Sequence, residues 1–361
     1  MVPAWQAQAT VTAALTAFLY QGFTYNAVYL GRILPAVGKA DVAGPLALVF
    51  NTFLCLAFWS YLRTSWADPG VAPQAWHDFV DRAGVALQVA PIRKEWQPGK
   101  ATMCRFCARP RPERAHHCVV CGVCILRLDH HCPWINNCVG FNNHKHFLLT
   151  CFYTLLACLA GFLSALPELA YVTGRLRGVV HGVPDDTGLG AFDQLSFIIF
   201  GFLAVLIMMF LMPLTAIQVR FAINNRTTIE DNYVKAANPF DLGGSLANLS
   251  QIFGVFGPDW FLPIRPLRPV VDGVTFPSTD ADAHTFEERL NDHTRGALTD
   301  GSDCEDGRMQ MRSALLGEAY WRAHYNVRVE EDMPKPSTLD YMLGCMQLDC
   351  EGNAHPRGVF S

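Results

Sequence analysis

Charge is scarce in this sequence. Asp, Glu, Lys and Arg make up 17% of its 361 residues, where soluble globular domains carry about 25%. No sign dominates either. The 28 Lys and Arg against 32 Asp and Glu leave a net charge of −4, which argues against a protein that holds nucleic acid through overall positive charge. Disorder is excluded as well, because 51% of the residues are hydrophobic and a chain with that much apolar surface buries it. There is no internal repeat. The first apolar run has no basic flank before it and no small-residue cleavage site after it, so it does not read as a cleaved signal peptide.

What the sequence does have is apolar residues gathered into blocks. Phe147 to Leu166 and Gln194 to Val219 contain no charge, and Pro45 to Leu62 is a third such run, bounded by Arg63. A fourth, Val11 to Leu30, is weaker, interrupted by threonines, Gln21 and Asn26. About twenty mostly apolar residues cross a bilayer core. The expected fold is therefore an α-helical polytopic membrane protein with four transmembrane helices, at 11–30, 45–62, 147–166 and 194–219. Residues 1–10 form the N-terminal flank, 63–146 the segment between the second and third helices, and 167–193 a loop on the opposite side. The C-terminal flank is 220–263, and 264–361 is a variable, partly disordered tail. Ser278 to Asp306, acidic and poor in aliphatics, is expected to be a linker, and Arg312 to Tyr325 a short helix.

The thiols are also clustered. Of 13 cysteines, seven lie between Cys104 and Cys138, in short Cys-x-x-Cys spacings mixed with histidine. That pattern favours metal over disulfide and a reducing compartment, which puts the 63–146 segment and both tails in the cytosol. Eleven Lys and Arg between Arg63 and His146 agree with this orientation, against Arg32, Lys39, Arg175 and Arg177 on the other side. Two glycosylation patterns, Asn225-Arg-Thr and Asn248-Leu-Ser, would contradict it if they carried glycan. Cys345 and Cys350 read as ordinary tail thiols.

Structural zinc takes four Cys or His ligands. The six cysteines outside the cluster Asp129-His130-His131-Cys132, with two histidines, fill two sites and leave one thiol over. Cys132 directly follows two imidazoles and a carboxylate, the groups that take a thiol's proton and hold the resulting charge. Spacing leaves two alternatives open: Cys132 as a further ligand, or both histidines as ligands.

The run from Cys104 through Asp129-His130-His131-Cys132-Pro133-Trp134 to Asn137-Cys138-Val139-Gly140 resembles the DHHC protein S-acyltransferases, or palmitoyltransferases. So do Asp68-Pro69-Gly70 and Thr227-Thr228-Ile229-Glu230. Asn238-Pro239-Phe240-Asp241-x-Gly243 with Asn248 and Phe253-Gly254 is similar to the family's C-terminal motif, with Phe240 where Tyr is common. The resemblance covers about Val11 to Pro263. It implies a small cytosolic cysteine-rich domain (about 102–146) with two interleaved zinc ions, one on Cys104, Cys107, His117 and Cys124, the other on Cys118, Cys121, His131 and Cys138. It implies Cys132 as nucleophile, His130 as general base and Asp129 as the group that orients it. His116 has no matching role and is expected at the surface.

The activity implied is ping-pong transfer of a long-chain acyl group, such as palmitoyl, from acyl-CoA through acyl-Cys132 to cysteines of membrane-associated proteins. The protein would be multi-pass, in endomembrane (Golgi or ER) or plasma membrane, with its reactive thiol facing the cytosol and no nucleic-acid partner. Trp134, Ala157, Ala160 and Gly161 are candidates for an acyl-chain cavity in the lipid bilayer. Arg220, Arg226 and Lys235 are candidates for coenzyme A, and Thr227, Thr228, Glu230 and Asn248 for support of the site. Thr227-x-x-Glu230 also reads as a capping box opening a helix, and the small residues as close helix packing. Two rival classes share parts of the pattern: a membrane-anchored RING-type ubiquitin ligase, which has no need of the leftover thiol, and a transporter, for which Gln21, Asn26 and Asn51 would be the intramembrane polar groups.

Overall fold

The computed structural model describes residues 4–176, 189–233, 237–279, 318 and 320–327. Lys235, Cys345, Cys350 and residues 280–306 of the expected linker lie outside them.

All four apolar runs are helical. Helix α1 (Ala4–Phe23) continues without a break as a π-helix, Thr24–Ile33, and ends in a turn, Leu34–Ala36. Helix α2 is Ala43–Trp66, followed after the chain's first polar turn by α3, Gln74–Ala83. Helices α4 (His144–Leu176) and α5 (Ala191–Ile223) are each 33 residues, outrunning their apolar stretches at both ends. A short α6, Ser245–Phe253, completes the described set. Three segments are long and apolar enough to cross a membrane: Ala40–Trp66, His144–Gly174 and Ala191–Ile223. The first run is not among them. Two of its polar residues, Thr24 and Asn26, fall where the backbone widens to i→i+5 bonding.

That widened stretch turns Tyr25, Val28, Tyr29 and Ile33 inward. Tyr25 stacks on Phe50 of α2 with ring centroids 3.8 Å apart, and Tyr29 stacks on Phe197 of α5 at 5.2 Å. Glycines allow the close approaches. A Cβ at Gly161 would lie 2.9 Å from Phe50 and 3.1 Å from Phe200, and one at Gly201 2.7 Å from Leu169. The two amides of the first apolar run find partners on neighbouring helices. Asn26 and Asn51 exchange amide hydrogen bonds of 2.9 and 2.8 Å, and Gln21 reaches the Phe200 carbonyl. Away from the cysteine-rich segment, Arg32 pairs with Asp193 and Lys39 with Glu168, each at 2.6 Å.

Between α2 and α4 the chain forms three short antiparallel hairpins, with one further strand added to the first of them in parallel. Strands β1 (Val89–Ala90), β2 (Ala101–Cys104) and β3 (Arg109–Arg111) make one sheet. Strands β4 (His116–Cys118) and β5 (Val123–Ile125) make a second, β6 (His130–Cys132) and β7 (Asn137–Val139) a third. The hairpins are fastened to the end of α2. Asn137 donates to the carbonyls of Thr64, Ser65 and Ala67, and Asn143 donates to Thr64 O, so the module caps carbonyls a helix end leaves open. In Asp68-Pro69-Gly70 the carboxylate accepts from the amides of Gly70 and Val71, and Gly70 takes φ +104°. Gly70 O and Pro69 O then receive Leu126 N and Asn142 N.

The far side of this module is covered by α3 and the C-terminal segment. Trp76 and Phe79 of α3 are buried with Val274, Trp321 and Tyr325. The described part of the expected 312–325 helix is α-helical, at residue 318 and over 320–324.

Candidate active site and metal clusters

Each hairpin closes on one histidine and one cysteine directly across from each other: His117 opposite Cys124 in β4–β5, His131 opposite Cys138 in β6–β7. Two groups of four result, Cys104, Cys107, His117 and Cys124, and Cys118, Cys121, His131 and Cys138, each with its donor atoms within 4.8 Å of one another. The interleaving has a simple cause. Successive side chains of a strand point to opposite faces, so neighbours His117 and Cys118 belong to different clusters.

The geometry suits zinc. Tetrahedral zinc with bonds of about 2.3 Å to sulfur and about 2.0 Å to nitrogen holds sulfurs roughly 3.8 Å apart, and sulfur about 3.6 Å from nitrogen. Sulfur pairs stand at 3.7 Å (Cys107, Cys124) and 3.5 Å (Cys121, Cys138). His117 Nδ1 lies 3.3 and 3.8 Å from Cys107 and Cys124, and His131 Nδ1 3.4 to 3.7 Å from its three cysteines. Backbone amides of Cys107 and Cys121 point at Cys104 Sγ and Cys118 Sγ, 3.4 Å each. The two Cys3His sets fit structural zinc.

The same alternation sorts the Asp-His-His-Cys cluster. His131 faces its cluster; His130 and Cys132, two residues apart, share the other face of β6. His130 Nδ1 is 2.6 Å from Asp129 Oδ2, and Cys132 is close enough to the ring to influence its charge. Burial works against a charged imidazole, but the neighbouring Asp129 and Cys132 outweigh it and raise His130 to about 9. Asp129 is fully buried. Burial opposes its ionisation too, yet His130, His144 and the Thr228 amide hold its carboxyl well below the usual range.

Thr228 is the main support of that carboxylate, giving its N–H to Oδ1 at 2.7 Å and its hydroxyl to Oδ2 at 2.9 Å. Gln218 of α5 adds a bond at 3.1 Å. Thr227 and Glu230 do form the reciprocal capping bonds. The element they open, however, is only a three-residue 3₁₀ turn, Glu230–Asn232. The Glu230 carboxylate is needed elsewhere: it takes two 2.7 Å bonds from Arg114, itself buried between the rings of Phe240 and Phe276.

Cys132 is buried in an apolar cluster with Tyr61, Ile135, Val139, Phe147 and Cys151, against which Ala14, Leu15, Phe18 and Leu211 pack. All four long helices thus contribute to the surroundings of this thiol. Of the other predicted residues, Trp134 is exposed and only its carbonyl is engaged, by Tyr61 Oη at 2.9 Å. Ala157 is buried and Ala160 half-buried on α4, and the space over Gly161 is taken by Phe50 and Phe200. Arg220 is exposed; Arg226 stands 5.9 Å over the Trp96 ring. Trp96 lines a cavity with Lys100, Arg111, His116 and Tyr233. Asn248 donates to Ile223 O and Asp241, tying α6 to the end of α5.

One expectation is corrected. His116 is not a surface residue: it hydrogen-bonds Tyr233 at 3.3 Å, and burial, with Arg111 beside it, depresses it to about 4. Sequence reasoning missed three buried groups. Gln218 was hidden in an apolar run. Arg114 finds Glu230 across 116 positions. Asn225, read as a glycan acceptor, is fully buried and accepts from Arg114 and Arg127, both at 3.0 Å; its own amide donates to Phe240 O. Asn248 is buried as well, so in this fold neither amide can carry glycan.

A family model for DHHC palmitoyltransferases matches residues 97–234. The chain is 31% identical over 277 residues to probable protein S-acyltransferase 14 of Arabidopsis thaliana, covering 71% of this chain and 87% of that one. It is 32% identical over 271 residues to probable protein S-acyltransferase 13 of the same plant, with the same coverage. Palmitoyltransferase ZDHHC2 of Homo sapiens is 29% identical over 308 residues, 76% of this chain and 80% of that one. With those likenesses spanning membrane helices and hairpins alike, the chain belongs to the DHHC palmitoyltransferases and is a membrane-embedded protein S-acyltransferase.

Proposed function

We propose that Cys132 carries the acyl group, that His130 takes and returns its proton, and that Asp129 fixes the imidazole. The observation that carries this reading is the arrangement around β6. One face presents His130 and Cys132 together, the imidazole is anchored through Nδ1 by a buried carboxylate, and the thiol opens into an apolar cluster fed by all four long helices. Water is scarce in such a place, and a fatty chain is at home there.

The reaction runs in two displacements. The Cys132 proton passes to His130, and the sulfur forms a bond to the acyl carbon of acyl-CoA. The old carbon–sulfur bond breaks, and coenzyme A leaves as a thiol with the proton from His130. A substrate cysteine then repeats the exchange, so the acyl group ends on the protein and Cys132 regains its proton. Bound zinc supplies rigidity: it cross-links the hairpins that hold β6, and each Cys3His set is complete without a water.

The α1 segment is the fourth crossing. The two amides of its apolar run are paired inside the bundle, Asn26 with Asn51 and Gln21 with the Phe200 carbonyl, which favours a helix of this composition lying in hydrocarbon. With four crossings, the hairpins and both tails share one side, the cytosol, of an endomembrane or the plasma membrane. Substrates are membrane-associated proteins that bring a cysteine to that interface. Coenzyme A's phosphates remain on the same side, with Arg220 in the last turn of α5, Arg226 just beyond it and the cavity that Lys100 and Arg111 line as their field. Lys235, further along the sequence and outside the described residues, is a third candidate. Ala157, Ala160 and Gly161 lie below the thiol on α4, with Phe50 and Phe200 closing the space over Gly161. Ala157→Tyr should shift competition among acyl-CoAs toward shorter chains; an unchanged preference removes these residues from the cavity.

The deciding experiment is incubation of the purified protein with labelled palmitoyl-CoA. A hydroxylamine-labile label is expected on the parent and none on Cys132→Ser. Label that survives that substitution refutes the site.

A further inference from the structure

Residues 318–327 lie outside the segment matched by the DHHC family model, yet they are docked on the back of the cysteine-rich module by a dense set of contacts. Trp321 and Tyr325 are buried against Trp76 and Phe79. Tyr325 Oη accepts from the Glu113 amide at 3.1 Å and donates to Val274 O at 2.7 Å. His324 Nε2 is 2.9 Å from Glu113 Oε1, with both side chains almost fully buried. Trp321 Nε1 donates to Asp272, and Arg82 forms a two-pronged pair with Glu318.

The contact with Glu113 matters because of what lies next to it. Glu113 also accepts the Phe276 amide at 2.6 Å and the Gly99 amide at 2.7 Å, so one carboxylate gathers the tail, the 272–276 strand-like segment and the loop before β2. Its chain neighbour is Arg114. That guanidinium is held over Phe276 and bonded twice to Glu230, Glu230 is locked to Thr227, and Thr228 holds the carboxylate of Asp129. A continuous set of buried polar contacts therefore joins the tail to the residue that orients the base.

We infer that the 318–327 segment is a positioning clamp for catalysis: by fixing Glu113 it fixes Arg114, and through Glu230 and Thr228 it sets Asp129. The binding surface on α3 and Glu113 is a site for a short peptide with a tryptophan and a tyrosine four residues apart, occupied by the chain's own tail. The inference rests on the role given above to Asp129.

The test uses the full-length enzyme, a form ending at residue 317, and full-length Tyr325→Phe, which keeps the ring and removes the hydroxyl. Initial rates of Cys132 acylation are measured at saturating palmitoyl-CoA, together with the KM for acyl-CoA and the unfolding temperature. Loss of the clamp should lower the rate about tenfold, since small displacements of catalytic groups carry penalties of this size, and leave KM within about twofold. Tyr325→Phe should lie between parent and truncation, and a synthetic 316–328 peptide added to the truncated enzyme should restore the rate. A truncated enzyme that unfolds earlier but acylates at the parental rate per folded molecule overturns the inference, as does a rate loss the peptide cannot restore. Parent and Cys132→Ser run alongside: label persisting in Cys132→Ser would strike the catalytic assignment, whereas label lost there and unchanged on truncation would strike the clamp alone.

Discussion

The two Cys3His clusters are chemically alike and differ in what lies behind them. Both are built from a knuckle of Cys-x-x-Cys and a cross-strand His–Cys pair, and their donor spacings differ by tenths of an ångström. The first, on His117 and Cys124, has His116 and Cys118 on the reverse of its strand, Cys118 being a ligand of the second cluster. The second, on His131 and Cys138, has His130 and Cys132 there. In β6 the metal-facing side chain sits between the two proposed to react, so the candidate zinc position and the proposed catalytic geometry are two sides of one three-residue strand. Identical ligands teach little about consequence; what lies on the other face of the strand decides it.

The comparison breaks most sharply at His131. His131→Ala should lower acylation of Cys132 by at least about hundredfold, since it frees the residue between base and nucleophile and removes the second zinc; the rate of hydroxylamine-labile labelling measures it. Cys107→Ser, the corresponding insult to the first cluster, should act chiefly on folding. The expected result is a lower unfolding temperature and one zinc per chain by atomic absorption, with acylation per folded molecule down by about tenfold or less. Equal losses from both would show the clusters to be functionally equivalent.

Much of this was legible from residue spacing, and the misses have physical causes. Seven thiols in 35 positions told of two clusters able to hold metal and of one thiol, Cys132, left outside them. The pairing of ligands came from family resemblance, although a period of two was already in the sequence: adjacent His117-Cys118 and His131-Cys132 cannot face the same way in a strand. What left no local trace was the polar scaffold. Gln218 serves Asp129 from a helix three sequence elements away, and Asn225 serves two arginines more than 90 positions distant. Such bonds exist only once the chain has closed. The first helix shows the opposite case: its polar residues were visible, but the π-helical turn that lets Asn26 meet Asn51 was not.

Gly140 joins the two halves of the comparison. It follows β7 and presses against β5: a Cβ there would lie 2.5 Å from both Ile125 Cγ2 and Pro69 O. Backbone cannot yield as a flexible side chain would. Gly140→Ala should destabilise the protein by about 1–3 kcal/mol, read as a lower unfolding temperature, and should retain both zinc ions, because no ligand is touched.

The smallest effect expected comes from the aromatic partners of the two histidines. Phe106 stacks on His117 with centroids 4.6 Å apart, but its ring is exposed; Phe147 meets His130 edge-on at 5.3 Å inside the apolar cluster. An exposed ring loses little water on stacking, so Phe106→Ala should cost about 0.5–1 kcal/mol, seen as a slight drop in unfolding temperature at parental acylation rate. Phe147→Ala removes a wall of the site and the contact that limits the imidazole's tilt, and should slow acylation while leaving both zinc ions in place. If Phe106→Ala slowed acylation as much as Phe147→Ala, the first cluster would be transmitting to the catalytic strand, and the separation of roles argued from strand alternation would fail.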